Sequence, residues 1–346
     1  MPESAPALAS PPVIVARDAR RRAASPALSG APAPARPFLK WAGGKRQLLP
    51  ELRRFYPAIF GTYFEPFFGS GAVFFDLLRL GRLEGRAAVL SDTNPDVVGC
   101  CRALRDATDA VLANLRQLAR AHEAGGEAHY YEVRDRRFNP ARRRLRAEDG
   151  RPGIAARYTA SLAAMLIYLN HTGFNGLFRI NARGEFNVPA GRYANPSVCD
   201  EPNLRRVAAA FARPGVELND ASFETVLDRA APGDFVYFDP PYAPLTQTAR
   251  FTAYTADGFD ESRQAALQRT AVALARRGCA VLVSNSTAPL VRDLYARNDE
   301  AREAGLRAHL VVARRAINCR AARRGGVFEY VVTNVAPARR ARRGRG

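Results

Sequence analysis

The sequence predicts an α/β protein built on a mostly parallel sheet with helices on both faces. Short apolar runs alternate with helical patterns along the chain, and strands separated by helices form βαβ units. The alternation stops between about residues 100 and 205, so this stretch is expected to be an insertion outside the sheet. In sheets of this class, ligands bind beyond the carboxyl ends of the strands.

Apolar runs and helical periodicity locate the elements in chain order. Strands are predicted at Thr62–Glu65, Ala87–Ser91, Phe235–Phe238, Ala280–Ser284, Ala308–Ala313 and Phe328–Thr333. Helices are predicted at Ala72–Leu80, Cys101–Ala121 and Ser262–Arg277. The insertion begins helical and ends in a hairpin-like segment, because turn signals occur at Asn175-Gly176 and Arg183-Gly184.

The composition divides the chain into four parts. Residues 37–99 and 206–335 form the main α/β domain, and residues 100–205 form the inserted domain. Residues 1–36 are rich in Ala, Pro, Ser and Arg, and residues 336–346 are basic. Both ends are therefore predicted to be disordered extensions.

The formal net charge of +19 favours a polyanionic partner. The first extension contributes +3 and the last contributes +5, which leaves 19 − 8 = +11 on the core. A solvated basic surface is the alternative. The sequence contains no run of about 18 apolar residues, so no membrane span is predicted. No apolar signal core follows the first charged residues, so secretion is not expected.

The five cysteines and four histidines predict neither disulfides nor a metal site. The cysteine count is odd, and no C-x-x-C pair or Cys/His cluster occurs. This pattern is typical of a reducing compartment with free thiols. We therefore expect a cytoplasmic protein without a metal.

The first motif that indicates a ligand is YFEPFFGSGAVFFDLL, residues 63–78. Gly69 and Gly71 lie between a strand and a helix, where glycine lets a ligand approach the backbone and the helix offers free N–H groups. An ordinary strand-to-helix turn is the alternative. Asp92 follows 21 residues after Gly71, at the end of the next strand, where an acid commonly binds ribose hydroxyls. Alternatively, Asp92 caps the following helix, or Asn94 does so.

The glycine pattern lacks the third glycine of a dinucleotide site, so it favours an adenosyl cofactor without a pyrophosphate over a dehydrogenase cofactor.

A further motif, D-P-P-Y at Asp239–Tyr242, follows the end of an apolar strand. Proline stiffens this corner, and Tyr242 is expected on the rim of the site, with a core tyrosine as the alternative. Asn285 either lines the same pocket or occupies a turn.

F-x-G-x-G followed much later by D-P-P-Y resembles the alpha class of DNA adenine methyltransferases, whose recognition domain lies between the two motifs. FLKWAGGKRQLLP (38–50), NGLFRINARGEFNVPAGRY (175–193) and INCRAARRGGVFEYVVTN (317–334) resemble further segments of the Dam-type enzymes, which methylate adenine in GATC. The resemblance spans residues 37–335. It implies a Rossmann-like, seven-stranded fold that depends on S-adenosyl-L-methionine, and an enzyme that acts as a monomer on double-stranded DNA associated with the nucleoid.

The resemblance also implies roles for individual residues. Asp239 and the Pro240 carbonyl would accept the hydrogens of the adenine amine, and Tyr242 would stack on the flipped base. The implied cofactor-binding residues are Trp41, Lys45, Phe67, Gly69, Gly71, Asp92 and Asp239. For Trp41, plain core packing is the alternative.

The same resemblance assigns DNA contacts. Arg179 would read a guanine, as arginine commonly does. The other implied DNA-binding residues are Lys40, Phe174, Asn175, Leu177 and Pro189. A solvated Arg/Asn loop is the alternative for this segment. The alternatives to the whole function are methylation of another short DNA site, of RNA or of protein, and a catalytically silent DNA-binding regulator.

Overall fold

A computed structural model describes residues 33–147, 153–245, 259–313 and 327–338, and the part of the chain so described contains one seven-stranded sheet. The strand order is β3-β2-β1-β4-β5-β7-β6. The strands are β1 Tyr63–Glu65, β2 Ala88–Asp92, β3 Val216–Asp220, β4 Phe235–Phe238, β5 Ala280–Ser286, β6 Arg307–Ala313 and β7 Val327–Thr333. All neighbours are parallel except β7, which is antiparallel to both β5 and β6. The predicted mostly parallel, seven-stranded α/β fold is confirmed.

Helices cover both faces of this sheet. They are α1 Leu49–Leu52, α2 Ala72–Arg79, α3 Pro95–Asp106, α4 Thr108–Tyr131, α5 Asn139–Ala147, α6 Ala160–Thr172, α7 Glu201–Phe211, α8 Val226–Arg229, α9 Glu261–Arg276, α10 Pro289–Val291 and α11 Asp299–Glu303. Short 3-10 turns occur at Lys45–Gln47, Arg53–Phe55, Ile154–Arg157, Phe174–Gly176 and Phe223–Thr225, and π-helical turns at Glu132–Phe138 and Arg292–Ala296.

Two buried apolar clusters lie on opposite faces of the sheet. One contains Phe74 of α2, Leu104 of α3 and Leu166 of α6, so helices of the insertion share their core with the main domain. The other contains Phe64 of β1 and Leu267 of α9. Burial of apolar surface on both faces explains why the central strands are apolar throughout. That residues 100–205 form a separate recognition domain remains a prediction.

Two secondary-structure predictions were wrong. The helix predicted at Cys101–Ala121 is two helices, because Ala107 leaves the helical conformation between α3 and α4 (φ −140°, ψ 43°). The apolar periodicity continues across this break, so it does not reveal the change of direction. Strand β3 was missed because it is an edge strand with Glu217 exposed and few apolar residues.

The extensions predicted at residues 1–36 and 336–346 lie mainly outside the described residues, as does Cys319. At the boundary of the first, the backbone N–H and C=O of Arg36 bond the Asn203 side chain. Among the described helices, none has the length and apolar character that a membrane crossing requires.

Candidate active site

Parallel pairing brings three acids to one edge of the sheet, which we call the carboxyl edge. Glu65 ends β1, Asp92 ends β2, and Asp239 follows β4 directly. Because β1 pairs in parallel with both β2 and β4, the ends of these strands are neighbours. The sequence motifs that are far apart in the chain therefore meet here.

The glycine loop has the conformation that its sequence predicts. Gly69 and Gly71 have φ values of 48° and 67°, a region that disfavours other residues. A methyl group added at Gly71 falls 2.4 Å from the Phe68 ring, so a larger residue does not fit there. The Gly69 N–H donates to Asp92 Oδ2 at 2.8 Å, which ties the loop to the end of β2.

Asp92 is tied to the loop and does not cap helix α3. The Asn94 side chain caps α3 by accepting from the Asp96 N–H at 3.1 Å, so the second of the two capping alternatives is confirmed. Asp92 Oδ1 accepts from the Asn94 N–H at 2.8 Å. Burial raises the pKa of Asp92 to about 6, and the two backbone N–H bonds oppose this rise.

The carboxylate of the D-P-P-Y motif faces a buried lysine. Lys45 Nζ lies 2.7 Å from Asp239 Oδ1, and the two side chains are 7% and 21% exposed. Lys45 Nζ also donates to the Gly43 carbonyl at 2.6 Å. Burial raises the pKa of Asp239, whereas the Lys45 charge lowers it. The net pKa of Asp239 is raised, and the ion pair limits this rise by favouring the charged form of the carboxylate.

Tyr242 stands at the rim of the site, beside this ion pair. Its hydroxyl donates to Glu329 Oε2 at 2.7 Å, and its ring centroid lies 4.6 Å from Lys45 Nζ. The ring is only half-buried, which contradicts the alternative of a core tyrosine. Glu329 on β7 was missed by the sequence reasoning, since nothing in a single sequence links it to a residue 87 positions earlier.

A buried amide pair supports the loop that follows Asp239. Asn285 Oδ1 accepts from the Ala243 N–H at 3.2 Å, and its Nδ2 donates to Gln264 Oε1 at 3.0 Å. Gln264 Nε2 in turn donates to the Pro241 carbonyl at 2.8 Å. Asn285 lies within strand β5, which contradicts the alternative of a turn residue, and its place in the pocket stays a prediction. Its interactions hold the backbone of the D-P-P-Y segment from behind.

Glu65 is a second acid that the sequence reasoning did not select. It is fully buried, and it accepts from the Tyr63 hydroxyl at 2.9 Å and the Phe74 N–H at 3.1 Å. Burial raises the pKa of Glu65 to about 8. Its signal in the sequence was an acid at the end of a strand, immediately before the glycine loop.

Two aromatic residues assigned to the cofactor flank the glycine loop differently. Trp41 stacks on Phe178 at 5.8 Å between ring centroids, and its ring atoms lie 2.9 Å from the position of a methyl group added at Gly69. Phe67 stacks on Phe223 at 5.3 Å and packs in the apolar cluster on the other face. Trp41 is therefore the one that joins the loop to the inserted segment.

A cavity of about 440 Å³ opens beside the ends of β2 and β3. Its polar lining includes Ser91, Arg102, Asn219 and Asp220, and burial raises the pKa of Asp220. Asp239 does not line it. Asp220 was missed because β3 was missed.

The hairpin-like segment of the insertion, residues 173–190, is a hairpin with two bridges between its arms, and we call it the hairpin. Gly173 pairs with Ala190, and Ile180 pairs with Phe186. The Phe174 N–H donates to the Pro189 carbonyl at 2.9 Å. Because Phe186 is buried against the insertion helices, the backbone of this segment is packed, while its Arg179 and Asn175 side chains are exposed.

The hairpin displays the side chains that were assigned to DNA. Phe174 is 48% exposed, and Asn175 is exposed with a positive φ of 53°. Arg179 is exposed and donates from Nε to Asn187 Oδ1 at 2.7 Å. Pro189 is exposed, and Leu177 is half-buried against the apolar core.

Lys40 reaches the base of the same hairpin from the N-terminal segment. Its Nζ donates to the His171 carbonyl at 3.1 Å and lies 4.3 Å from the Tyr193 ring centroid. The stretch RRFNPARRRLR, residues 136–146, is rich in arginine, and its arginines differ in exposure. Arg142 is buried, whereas Arg143 is exposed and pairs with Glu185.

In the described part of the chain, no group of three or more His, Cys, Asp or Glu side chains is placed to hold a metal ion. The described cysteines are free thiols: Cys100, Cys101, Cys199 and Cys279.

Comparison with known proteins identifies the family. The family model described as D12 class N6 adenine-specific DNA methyltransferase matches residues 41–311. A Type II methyltransferase, M1.LlaDCHI, of Lactococcus lactis subsp. cremoris is 34% identical, with 86% of this chain and 95% of that protein covered. The Type II methyltransferase M.MjaIII of Methanocaldococcus jannaschii is 35% identical, with coverage of 86% and 99%. The DNA adenine methylase of Escherichia coli is 33% identical, with coverage of 86% and 94%. The chain thus belongs to the D12 class N6 adenine-specific DNA methyltransferases, and the enzyme is a transferase.

Proposed function

We propose that this enzyme transfers a methyl group from S-adenosyl-L-methionine to the N6 amine of a flipped-out adenine in duplex DNA, within GATC. The observation that carries the proposal is the partly buried Asp239 carboxylate, followed by Pro240 and Tyr242 and placed beside the glycine loop. This arrangement combines hydrogen-bond acceptors for an amine with an aromatic face for a base.

The carboxyl edge fits an adenosyl cofactor. Gly69 and Gly71 leave the backbone open, the Asp92 carboxylate lies at the end of β2, and Trp41 covers the loop. We assign cofactor binding to these residues together with Lys45, Phe67 and Asp239, and the cavity beside Asp220 adds space at the same edge. When bound, the cofactor supplies a methyl group already activated by a sulfonium, so the protein has to position the acceptor amine.

The chemistry assigned to the protein is electrostatic. The lone pair of an exocyclic adenine amine is delocalised into the ring, which makes the amine a poor nucleophile. Asp239 accepts one amino hydrogen and the Pro240 carbonyl accepts the other, so both acceptors lie where positive charge develops. Lys45 maintains the ionised carboxylate, and holding the amine at attack distance supplies much of the remaining rate enhancement.

Tyr242 gives the extruded base its stacking surface. An adenine inside a duplex is inaccessible to the carboxyl edge, so it has to be flipped out. Stacking on an aromatic ring is worth about 1–3 kcal/mol per base. The hydrogen bond to Glu329 fixes the orientation of the Tyr242 ring.

The hairpin is proposed to read the DNA sequence. Arg179 is exposed and suited to bidentate contact with guanine, while Leu177 and Pro189 offer apolar contacts to a thymine methyl group. Phe174 and Asn175 are placed to enter the stack beside the flipped base, and Lys40 contacts a guanine at the edge of the site. The specificity for GATC is proposed from the resemblance of this hairpin to that of the Dam-type enzymes.

The decisive experiment expresses the protein in a bacterial host that lacks adenine methylation. Restriction enzymes that distinguish methylated from unmethylated GATC then report the modified site. GATC that stays unmodified while another short site gains methyl groups would contradict the specificity but not the chemistry. Purified enzyme and radiolabelled cofactor, with duplex DNA, RNA and protein offered in competition, test the other substrates. No transfer to any of them would support the silent-regulator alternative.

A further inference from the structure

Side-chain amides of two buried asparagines hold the hairpin at its base and in the middle of its second arm. Asn139, at the start of α5, is 6% exposed, and Asn170, near the end of α6, is 3% exposed. An asparagine amide carries one acceptor and one donor group, so it can pair with a peptide N–H and C=O at once. Both residues use their amides in this way.

Asn139 binds the middle of the second arm. Its Oδ1 accepts from the Phe186 N–H at 2.8 Å, and its Nδ2 donates to the Phe186 carbonyl at 3.0 Å. The next residue, Asn187, accepts from Arg179 Nε. The position of Phe186 therefore determines where Asn187 holds the guanidinium of Arg179.

Asn170 binds the base of the hairpin to the N-terminal segment. Its Oδ1 accepts from the Lys40 N–H at 2.7 Å, and its Nδ2 donates to the carbonyls of Lys40 at 2.8 Å and Gly176 at 2.9 Å. Lys40 lies so close to Gly176 that a methyl group added there falls 2.3 Å from its Cβ. One amide thus sets the distance between two segments assigned to DNA.

A buried arginine supports the tip of the hairpin in the same manner. Arg142 Nη1 donates to the Gly184 carbonyl at 2.7 Å, while its Nε and Nη2 bond both carboxylate oxygens of Asp96 at 2.7 and 2.6 Å. Asp96 belongs to α3, which begins just after Asp92. The tip is therefore held from the helix that leaves the carboxyl edge.

We propose that Asn139 and Asn170 are positioning residues for sequence recognition, which hold the hairpin backbone in the register that presents Arg179 and Lys40 to the bases. Neither side chain contacts DNA in this proposal. It rests on the proposed function of the hairpin. Its physical basis is that a base contact discriminates only when its donor is held in place before binding.

The test measures kcat/KM on the preferred duplex and on duplexes with one base pair changed. We expect Asn139→Ala and Asn170→Ala to lower the ratio of the two values about tenfold each, because each removes two or more hydrogen bonds that hold the hairpin backbone in place. Asn334→Ala is the matched control. The Asn334 amide donates to the Cys279 carbonyl and accepts from the Val281 N–H, both at 2.8 Å. These bonds lie at the start of β5, at the end of the strand away from the carboxyl edge. Its discrimination ratio should equal that of the wild type.

A purely structural role predicts a different result. Equal losses on all duplexes, with the discrimination ratio unchanged, would overturn the proposal. If an alanine variant does not fold, Asn139→Asp keeps the size and an acceptor for the Phe186 N–H, and it replaces the donor with a carboxylate oxygen that repels the Phe186 carbonyl. Hydrogen exchange at the Phe186 amide, compared with that at Val281, shows whether the hairpin has loosened; unchanged exchange and discrimination in Asn139→Asp would equally refute the proposal. A wild-type enzyme without any sequence preference would instead contradict the proposed function of the hairpin.

Discussion

The carboxyl edge and the hairpin present their functional groups in opposite ways. At the edge, Asp239 and Lys45 are largely buried and form an ion pair, so the protonation state of Asp239 depends on the Lys45 charge. On the hairpin, Arg179 and Phe174 are exposed, and buried amides hold the backbone beneath them. In the proposed function, chemistry at the edge therefore depends on charge, whereas recognition by the hairpin depends on position. Variants in the two regions should fail by different measures.

Loss of the Asp239 carboxylate at the carboxyl edge should have the greatest effect on activity. Asp239→Ala should lower methyl transfer by about 10²-fold or more, because it removes an acceptor from the point where charge develops. Radiolabelled methyl transfer to duplex DNA measures this, and thermal unfolding checks that the fold persists. Asp299→Ala on the exposed surface is the control. Turnover at the wild-type rate would rule out the role of Asp239.

The next prediction concerns Arg179 of the hairpin and the discrimination between DNA sequences. Arg179→Ala should reduce discrimination between the preferred duplex and one with its guanine changed by about 1–3 kcal/mol, the value of a bidentate base contact. Parallel assays of kcat/KM on both duplexes measure it. Arg183→Ala, at the exposed tip of the same hairpin, removes the same charge and serves as the control. Equal losses for the two duplexes would exclude base reading by Arg179.

A third test examines how the Lys45 charge affects Asp239 at the carboxyl edge. The Lys45 ammonium lowers the pKa of Asp239 against the effect of burial. In Lys45→Gln this lowering is lost, so the pKa of Asp239 rises and the carboxylate becomes protonated at a higher pH. We expect the acidic limb of kcat against pH, measured at saturating cofactor, to move to higher pH. A limb that stays in place would mean that Asp239 does not control activity through its ionisation.

A fourth test concerns stability rather than activity. The pKa of Glu65 is raised by burial to about 8, so the folded protein holds a proton there that the unfolded chain loses near its ordinary value of about 4.3. This stabilising contribution is fully present below that value and is lost as the pH rises to about 8. Glu65→Gln should remove up to about 1.4 kcal/mol per pH unit of this dependence. Urea unfolding from pH 5 to 8 checks it, and identical slopes would contradict the prediction.

The sequence predicts the motif residues of the carboxyl edge better than it predicts the distant residues that hold them in place. Apolar runs located β1, β2 and β4, and the motifs at their ends identified Gly69, Asp92 and Asp239, because strand ends and local turns are encoded by adjacent residues. Glu329 and Asn139 were not found, because each acts on a residue that is distant in the chain. Asp220 was not found because the edge strand that carries it has little apolar character. Long-range pairing of this kind has no periodic signal in a single sequence.

The placement of β7 has a consequence for protein synthesis. This strand inserts between β5 and β6 although it is the last of the seven in the chain, and it carries the Glu329 that bonds Tyr242. Lys45, which lies beside the same tyrosine, is among the first of the described residues to be made. A growing chain therefore cannot complete the bond that holds Tyr242 until Glu329, 87 residues further along the chain, has left the ribosome.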